Sequence, residues 1–398
     1  MLTESQALAR LVADDVRIRA IRTPIDLARA DALAAARLPN PRLGIERQAV
    51  AGVTEYYVSV SQPLPITGRR GLDVQAASAL VAARSNRADD DVRRLRSDLR
   101  LAFAGLVAAQ ARERELTDSR DRLTALADVL ARRERAGDAA GYDRLRAERE
   151  ALDVESELTI ASTERARAQS LLAGFFSDVD DPSRLVAVPP APGGTPPADV
   201  PEVDALLAQA ETSRGVLAAF QREAEAARFA ARAAERRRLP EPEIVAGTKS
   251  STAGSGEGGG AVTVGSGAIG PLIGVQATLA LFDRAKPERA AAVARAAQAE
   301  SSLAAFRTVL KGEVAALREA VLLRRAASDR YRRDAIGRTR ALERIAQVSY
   351  DAGERGILEL LDGVRLGTTA RLRQTQLDLA LRQAEIELEF ATGWETPR

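Results

Sequence analysis

Leu38-Pro39-Asn40-Pro41 closes an Ala/Arg-rich helical stretch, and the same punctuation returns as Leu239-Pro240-Glu241-Pro242. In both places the residue before each proline is pushed out of the α region, so a helix ends and an extended segment begins. Further along, Ala136-Gly137-Asp138 returns as Ala352-Gly353-Glu354, and at that same spacing Asp143 and Leu145 return as Glu359 and Leu361. A duplicated block of about 200 residues constrains the architecture more than any single motif, because both copies must satisfy one plan.

Working outward, residues 1–179 form the first structural repeat and residues 202–393 the second; Asp180–Pro201, rich in proline, is the linker, and both repeats belong to one protomer. The first repeat opens with a helix over Glu4–Arg37, with a kink or short break expected at Pro24. A strand pair follows over 41–64, in which Arg42–Glu46 and Tyr56–Gln62 alternate apolar with polar, and Ala51-Gly52 is the expected turn. Then come a long helix over 69–135, a turn at Gly137–Gly141 and a helix over 142–174. The second repeat has the same order: a helix over Val203–Arg238, a strand pair over 242–282 interrupted by the Gly/Ser-rich loop Ser250–Gly267, a long helix over 288–352, a turn at Gly353–Gly356 and a helix over 357–390.

Composition narrows the function. Aromatics are 4% of the chain and helix formers dominate, which favours long helices over a compact core. The net charge is only +2, and Arg and Glu alternate along the helices as solvated flanks of coiled-coil seams, so no nucleic-acid partner is expected despite a pI near 9.1. Cys and His are both absent. That removes disulfides, the usual zinc sites, thiol nucleophiles and imidazole bases, so neither an enzyme nor a bound metal or cofactor is expected. The Ser250–Gly267 loop lacks Gly-Lys-Ser/Thr and is not a phosphate cradle. The segment Met1–Glu4 runs directly into an amphipathic stretch, with no basic and apolar leader visible, and no cysteine offers a lipid anchor. Gly258–Phe282 is uncharged but too rich in glycine and proline for a transmembrane helix.

Lengths then decide the architecture. At about 1.5 Å per residue the 69–135 helix reaches about 100 Å, and the two short helices of each repeat together match the long one. The chain therefore reads as mainly α, with duplicated long helical hairpins building a helical barrel. Four strands of about 9–12 residues suit tilted membrane-spanning β-strands. Four cannot close a barrel, and open edges are not tolerated in lipid. Three chains supply a twelve-stranded barrel.

With the duplicated plan, Gln62-Pro63-Leu64-Pro65 at the strand-to-helix return, Leu281-Phe282-Asp283-Arg284 at the matching point, and two helix–Gly–helix tips, the chain resembles the outer membrane efflux proteins, the TolC-like channels. The resemblance implies a homotrimer: a β-barrel in outer-membrane lipid and a helical barrel in the periplasm. The tip would dock on a periplasmic adaptor and an inner-membrane pump of the RND type. Glu359 and Asp362, three apart and so on one helical face, match the family's acidic constriction ring, with Glu at 359 where Asp is more usual. Asp143, Tyr350 and Arg355 match a lock between neighbouring tip helices. The bland readings stay open here: the Glu/Asp pair beside Arg355 is also what a solvated i,i+4 ion-pair face shows, and Tyr350 also suits tip packing. Gly141-Tyr142-Asp143-Arg144-Leu145-Arg146 is similar to the cobalt–zinc–cadmium branch of the family. The alternatives are a soluble coiled-coil scaffold or binding module, and a periplasmic adaptor, which would carry one hairpin rather than a duplication.

Overall fold

The structure, a computed structural model, describes residues 1–11, 15–50, 53–136, 141–189, 199–253, 268–279 and 282–395. The chain divides into two compact units that cut across the sequence repeats. One contains Met1–Ile21, Asp89–Gly215 and Thr308–Arg398; the other contains Arg22–Ala88 and Val216–Arg307.

The second unit holds the sheet. Its strands are β1 (Arg42–Val50), β2 (Val53–Pro63), β3 (Pro242–Ala253) and β4 (Ala268–Ala277), antiparallel throughout in the order β1-β2-β3-β4. The register pairs Ile45 with Val58, Val60 with Ala246, and Ala246 with Ile273. β3 runs through Ala253, so strand replaces the start of the expected Gly/Ser loop, while β4 ends at Ala277 rather than continuing to Leu281. The remainder of that loop, the Ala51-Gly52 turn and Leu281 lie outside the described residues. Gly247 explains itself: a Cβ there would overlap the backbone of Val58 and Ser59.

Leu239-Pro240-Glu241-Pro242 meets the return from β2 into the next helix at the base of this sheet. Glu241 accepts from Thr67 Oγ1 at 2.9 Å and from Arg69 at 2.8 and 3.3 Å, and Leu64 N–H donates to the Pro242 carbonyl at 2.9 Å. Gly68, with φ +75°, supplies the left-handed turn into α3 (Arg69–Ala136), a single unbroken helix as the sequence predicts.

Three of the expected helices break at points the sequence reading did not mark. The expected helix over Glu4–Arg37 is α1 (Glu4–Ala9) and α2 (Val16–Ala36), and Pro24 lies inside α2 without ending it. The break is set by capping: the Thr3–Gln6 capping box opens α1, and the Asp15 carboxylate accepts from Arg17 N–H at 2.8 Å at the start of α2. Residues 203–236 are α5 (Val203–Ser213) and α6 (Gly215–Arg236), parted at Arg214. The Arg214 side chain is only 7% exposed, 3.4 Å from Asp90 of α3 and 4.5 Å over the Phe390 ring, and holding it there takes its backbone out of the helix. The expected helix over 288–352 is α7 (Lys286–Arg330), a π turn at Tyr331–Ile336 and α8 (Gly337–Asp351). Beside the π turn, Asp378 of α9 (Ile357–Thr392) accepts from Ser328 at 2.6 Å and from Arg332 and Gln374, both at 2.7 Å. α4 spans Gly141–Ala173.

Part of the expected linker is fixed in the first unit. Pro182–Arg184 is a 3₁₀ turn, Leu185 and Ala187 are buried, and the Gln110 side chain bonds both backbone groups of Ala187 at 2.8 and 3.0 Å. Those residues join Leu2, Ala7, Leu99, Phe103, Leu106 and Leu172 in one apolar cluster. No helix among the described residues is long and apolar enough to cross a membrane.

The Glu241 contacts give a pH prediction. Burial alone would raise this carboxyl, but hydrogen bonds from Arg69 and Thr67 and the Arg69 charge more than offset it, leaving it below its ordinary value of 4.5. The unfolded chain then binds more protons there, so the contribution is present above about 4.5 and is lost as pH falls through the lower folded value. Glu241→Gln is expected to lower Tm at neutral pH, with the gap to the parent protein closing on acidification; a gap that widens in acid contradicts this.

Candidate functional site

Two surfaces carry candidate function. The first is the sheet. In the observed register Leu43 and Ile45 (β1), Tyr56, Val58 and Val60 (β2), Ile244 and Ala246 (β3), and Ile269, Ile273 and Val275 (β4) share one face. Ile273 is 82% exposed, and the other large side chains of this face are also exposed. The opposite face carries Glu46, Gln48, Ser59, Ser61 and Gln276, with ion pairs Lys249–Glu55 at 2.9 Å and Arg42–Glu243 at 3.1 Å. An antiparallel sheet in water buries its apolar face and wets the polar one. Here the apolar face is the one without cover from its own unit, the pattern of a barrel wall in lipid. Among the described residues β1 and β4 each pair on one side only.

The second surface is the tip of the first unit. Leu123, Ala127 and Leu130 of α3 pack with Ala147 of α4 and with Ile357, Leu360 and Leu361 of α9. α8 and α9 are joined by a tight turn in which Gly353 adopts φ +73° and Glu354 and Arg355 N–H both donate to the Ser349 carbonyl. The two helices approach closely because α9 presents Gly363 and Gly367, four apart, to α8. A Cβ on Gly363 would sit 3.0 Å from Ala346, and one on Gly367 would overlap the Glu343 side chain. Glu343 is held by Arg371 at 3.0 Å, and Arg371 also reaches Glu115 of α3 at 2.6 Å. Burial would lower the Arg371 value, but its bonds to Glu343 and Glu115 raise it, so both carboxylates face a permanent cation. Thr368 donates to Ser119 at 2.9 Å, and Arg365 pairs with Glu150 of α4 at 3.2 Å.

Against this frame the residues singled out by sequence separate. Glu359 and Asp362 are exposed on the side of α9 opposite the core residues Ile357, Leu360 and Leu361, as their spacing predicts. Glu359 lies in the first turn of α9, where a carboxylate is favoured by the unpaired N–H groups. Neither acid pairs with another described residue, so the local i,i+4 bridge from Arg355 to Glu359 does not form. Tyr350 packs against the tip core, its ring 5.7 Å below the Arg133 guanidinium. Arg355 is exposed and Asp143 half-exposed, and no hydrogen bond or ion pair joins Asp143, Tyr350 and Arg355 within the chain. Any lock between them has to form between copies.

Sequence reasoning missed the residues that hold the tip. Arg144 joins Glu134 at 2.6 Å and Glu148 at 2.7 Å, tying α4 to α3 and giving the 141–146 stretch a structural role. The four-residue spacing of Gly363 and Gly367 is the signal that could have found the α8–α9 contact, though the sequence reading did not use it, while Arg371 was one arginine among many. The described residues contain no cluster of three or more carboxylates suited to a metal.

No protein-family model and no curated protein matches the chain. Solved structures do. It is similar to the CmeC outer membrane channel of Campylobacter jejuni at TM-score 0.76 and 12% identity, over 98% of this chain and 85% of that one. It is similar to the outer membrane protein VceC of Vibrio cholerae at TM-score 0.75 and 17% identity, over 98% and 96%. It is also similar to the open state of the MtrE outer membrane channel of Neisseria gonorrhoeae at 0.76 and 16%, over 98% and 88%. At these identities the likeness is one of fold, and the chain has the fold of those channels.

Gly367→Ala is expected to displace Glu343 and release its bond to Arg371, lowering stability by about 1 kcal/mol. In a Glu343→Ala background the same change is expected to be nearly neutral. Chemical unfolding of the four proteins of that cycle checks this; an equal cost in both backgrounds contradicts it.

Proposed function

We propose that the chain is one protomer of a passive exit channel in the outer membrane, fed by an inner-membrane pump of the RND type through a periplasmic adaptor. The observation that carries the reading is the four-stranded sheet with an exposed apolar face and two outer edges that no strand among the described residues covers. Three copies supply twelve strands, remove every edge and turn the apolar face to lipid. A soluble scaffold gives that face no role, and the residues of both candidate surfaces offer acids, arginines and apolar groups without a nucleophile–base pair.

In this reading the tip is the gate. Threefold symmetry gathers six carboxylates from Glu359 and Asp362 into a cation-selective ring. Asp143 meets Tyr350 and Arg355 of neighbouring copies and holds the tips together. Opening then separates tips without unfolding them, because each tip has its own core and its own Arg144 and Arg371 bridges.

Planar-bilayer recording tests the gate. Arg355→Ala with Asp143→Ala is expected to raise single-channel conductance, and Glu359→Gln with Asp362→Asn to move the reversal potential in a salt gradient toward zero; unchanged conductance and selectivity overturn these assignments. The barrel has its own test. Val58→Lys, on the apolar face, is expected to cost about 2–4 kcal/mol near the bilayer midplane and to prevent outer-membrane assembly. Gln48→Lys, on the polar face, is expected to assemble normally by heat-modifiable gel mobility. Equal assembly of both variants sinks the lipid-facing assignment.

A further inference from the structure

Residues paired across the sheet share a height, so its apolar face is a stack of rows. Leu43, Val60, Ala246 and Ile273 make one row, and Ile45, Val58, Thr248 and Pro271 the next. The row after that is Arg47, Tyr56, Ser250 and Ile269. Among the described strand residues Arg47 is the one charged side chain on this face. It is exposed and has no ion-pair partner among the described residues, and its guanidinium carbon lies 5.8 Å from the centre of the Tyr56 ring. The cations of the opposite face are different: Lys249 is matched by Glu55 and Arg42 by Glu243.

The height of this row decides what Arg47 can meet. The helices join the sheet at the end marked by Arg42, Pro63, Pro242 and Ala277. Beyond that end Ile66, Leu279 and Phe282 are exposed and form one apolar margin. From Leu279 back to Ile269, in the Arg47 row, is ten residues. At about 3.4 Å per residue and a tilt of about 40°, that is about 25 Å, the height of the apolar band on a membrane barrel. Such a band carries aromatic residues at both margins, and here Phe282 stands at one and Tyr56 at the other. A lipid-facing guanidinium is costly at the midplane and tolerated at a margin, where a long cationic side chain reaches the headgroups.

We propose that Arg47 and Tyr56 form a binding site for the phosphate group of a lipid in the outer leaflet. This rests on the channel reading, in which the helices lie in the periplasm and the Arg47 margin faces outward, and it adds a ligand to that reading. The guanidinium offers a planar fork of N–H donors that matches two oxygens of a phosphate. The Tyr56 ring restricts where that fork lies, and the Tyr56 hydroxyl, which no described residue engages, is a second donor beside it. No acid shares the face to neutralise Arg47 among the described strand residues, so its counter-charge has to come from outside the chain. At the margin of a bilayer the anion at hand is a headgroup phosphate, with the acyl chains of the same molecule lying along the Ile45, Val58 and Ile273 rows below.

Native mass spectrometry of the full-length protein in detergent tests this, with diphosphorylated lipid A and its dephosphorylated form as probes. The phosphorylated lipid is expected to saturate at about one per protomer, and the dephosphorylated lipid to bind much more weakly. Arg47→Gln is expected to weaken binding of the phosphorylated lipid about tenfold, and Arg47→Lys less, since an ammonium keeps the charge but not the fork. Arg47→Gln with Gln48→Arg keeps the net charge and moves the cation to the polar face, and is expected to bind as weakly as Arg47→Gln alone. All variants are expected to keep the heat-modifiable gel mobility of the parent, which separates lost binding from lost folding. Equal binding by the parent and Arg47→Gln, equal binding of both lipids, or recovery in the double variant overturns the site while leaving the channel reading intact. Arg47-dependent binding of inorganic phosphate without binding of the lipid overturns the lipid assignment. A parent protein with neither trimer nor conductance removes both readings.

Discussion

An open β-sheet with its apolar face outward is the constraint from which the rest follows. Each uncovered edge of β1 or β4 presents backbone donors and acceptors that have no substitute for water in a hydrocarbon layer. The Leu43, Val58 and Ile273 face has the opposite requirement and is costly in water. Both demands are met only if the sheet is continued by identical sheets until it closes. Oligomerisation is thus a condition of the sheet's existence in the proposed membrane setting, and the helical flanks have to accept neighbours at the same symmetry.

That requirement accounts for the unusual make-up of the helices. A core of alanines and a few leucines packs neighbouring helices closely, but it buries little apolar area per residue. Cross-links of opposite charge supplement it. Arg100 bonds Glu4 and Glu389, Arg382 also reaches Glu4, and Arg371 joins α9 to α3 and α8. Such pairs contribute modestly when exposed, yet removing one partner of a half-buried pair leaves a desolvated charge. They therefore fix register between helices more than they add stability.

What could be read from the sequence divides along physical lines. Proline punctuation, strand alternation and the unbroken α3 were legible because each is a local effect of backbone sterics or period. The face shared by Glu359 and Asp362 was legible from spacing alone. The breaks at Arg214 and Tyr331–Ile336 were not, because they answer to distant residues: Asp90 and Phe390 in one case, Asp378 in the other. Pro24 misled in the opposite direction. An expected break at a proline gave way to one at Asp15, whose carboxylate caps the following helix. The partners of Arg144 and Arg371 were hidden for a simpler reason. In a chain with 58 basic and 56 acidic residues, nearly every arginine has several candidate carboxylates, and only the packed helices choose among them.

Those choices bear on the proposed gate at the tip. Its core, its glycine contact at Gly363 and Gly367, and the Arg144 and Arg371 bridges all lie within one chain. The side chains of Asp143, Arg355, Glu359 and Asp362 have no ion-pair partner among the described residues. A gate built only of internal bonds would have to break its own fold to open. A gate built from residues without internal partners can open by separating copies, each keeping its core. The division between satisfied structural charges and unpaired rim charges is what the proposed reversible closure between rigid tips requires, and in that reading the energetic cost of opening lies at the interfaces between chains.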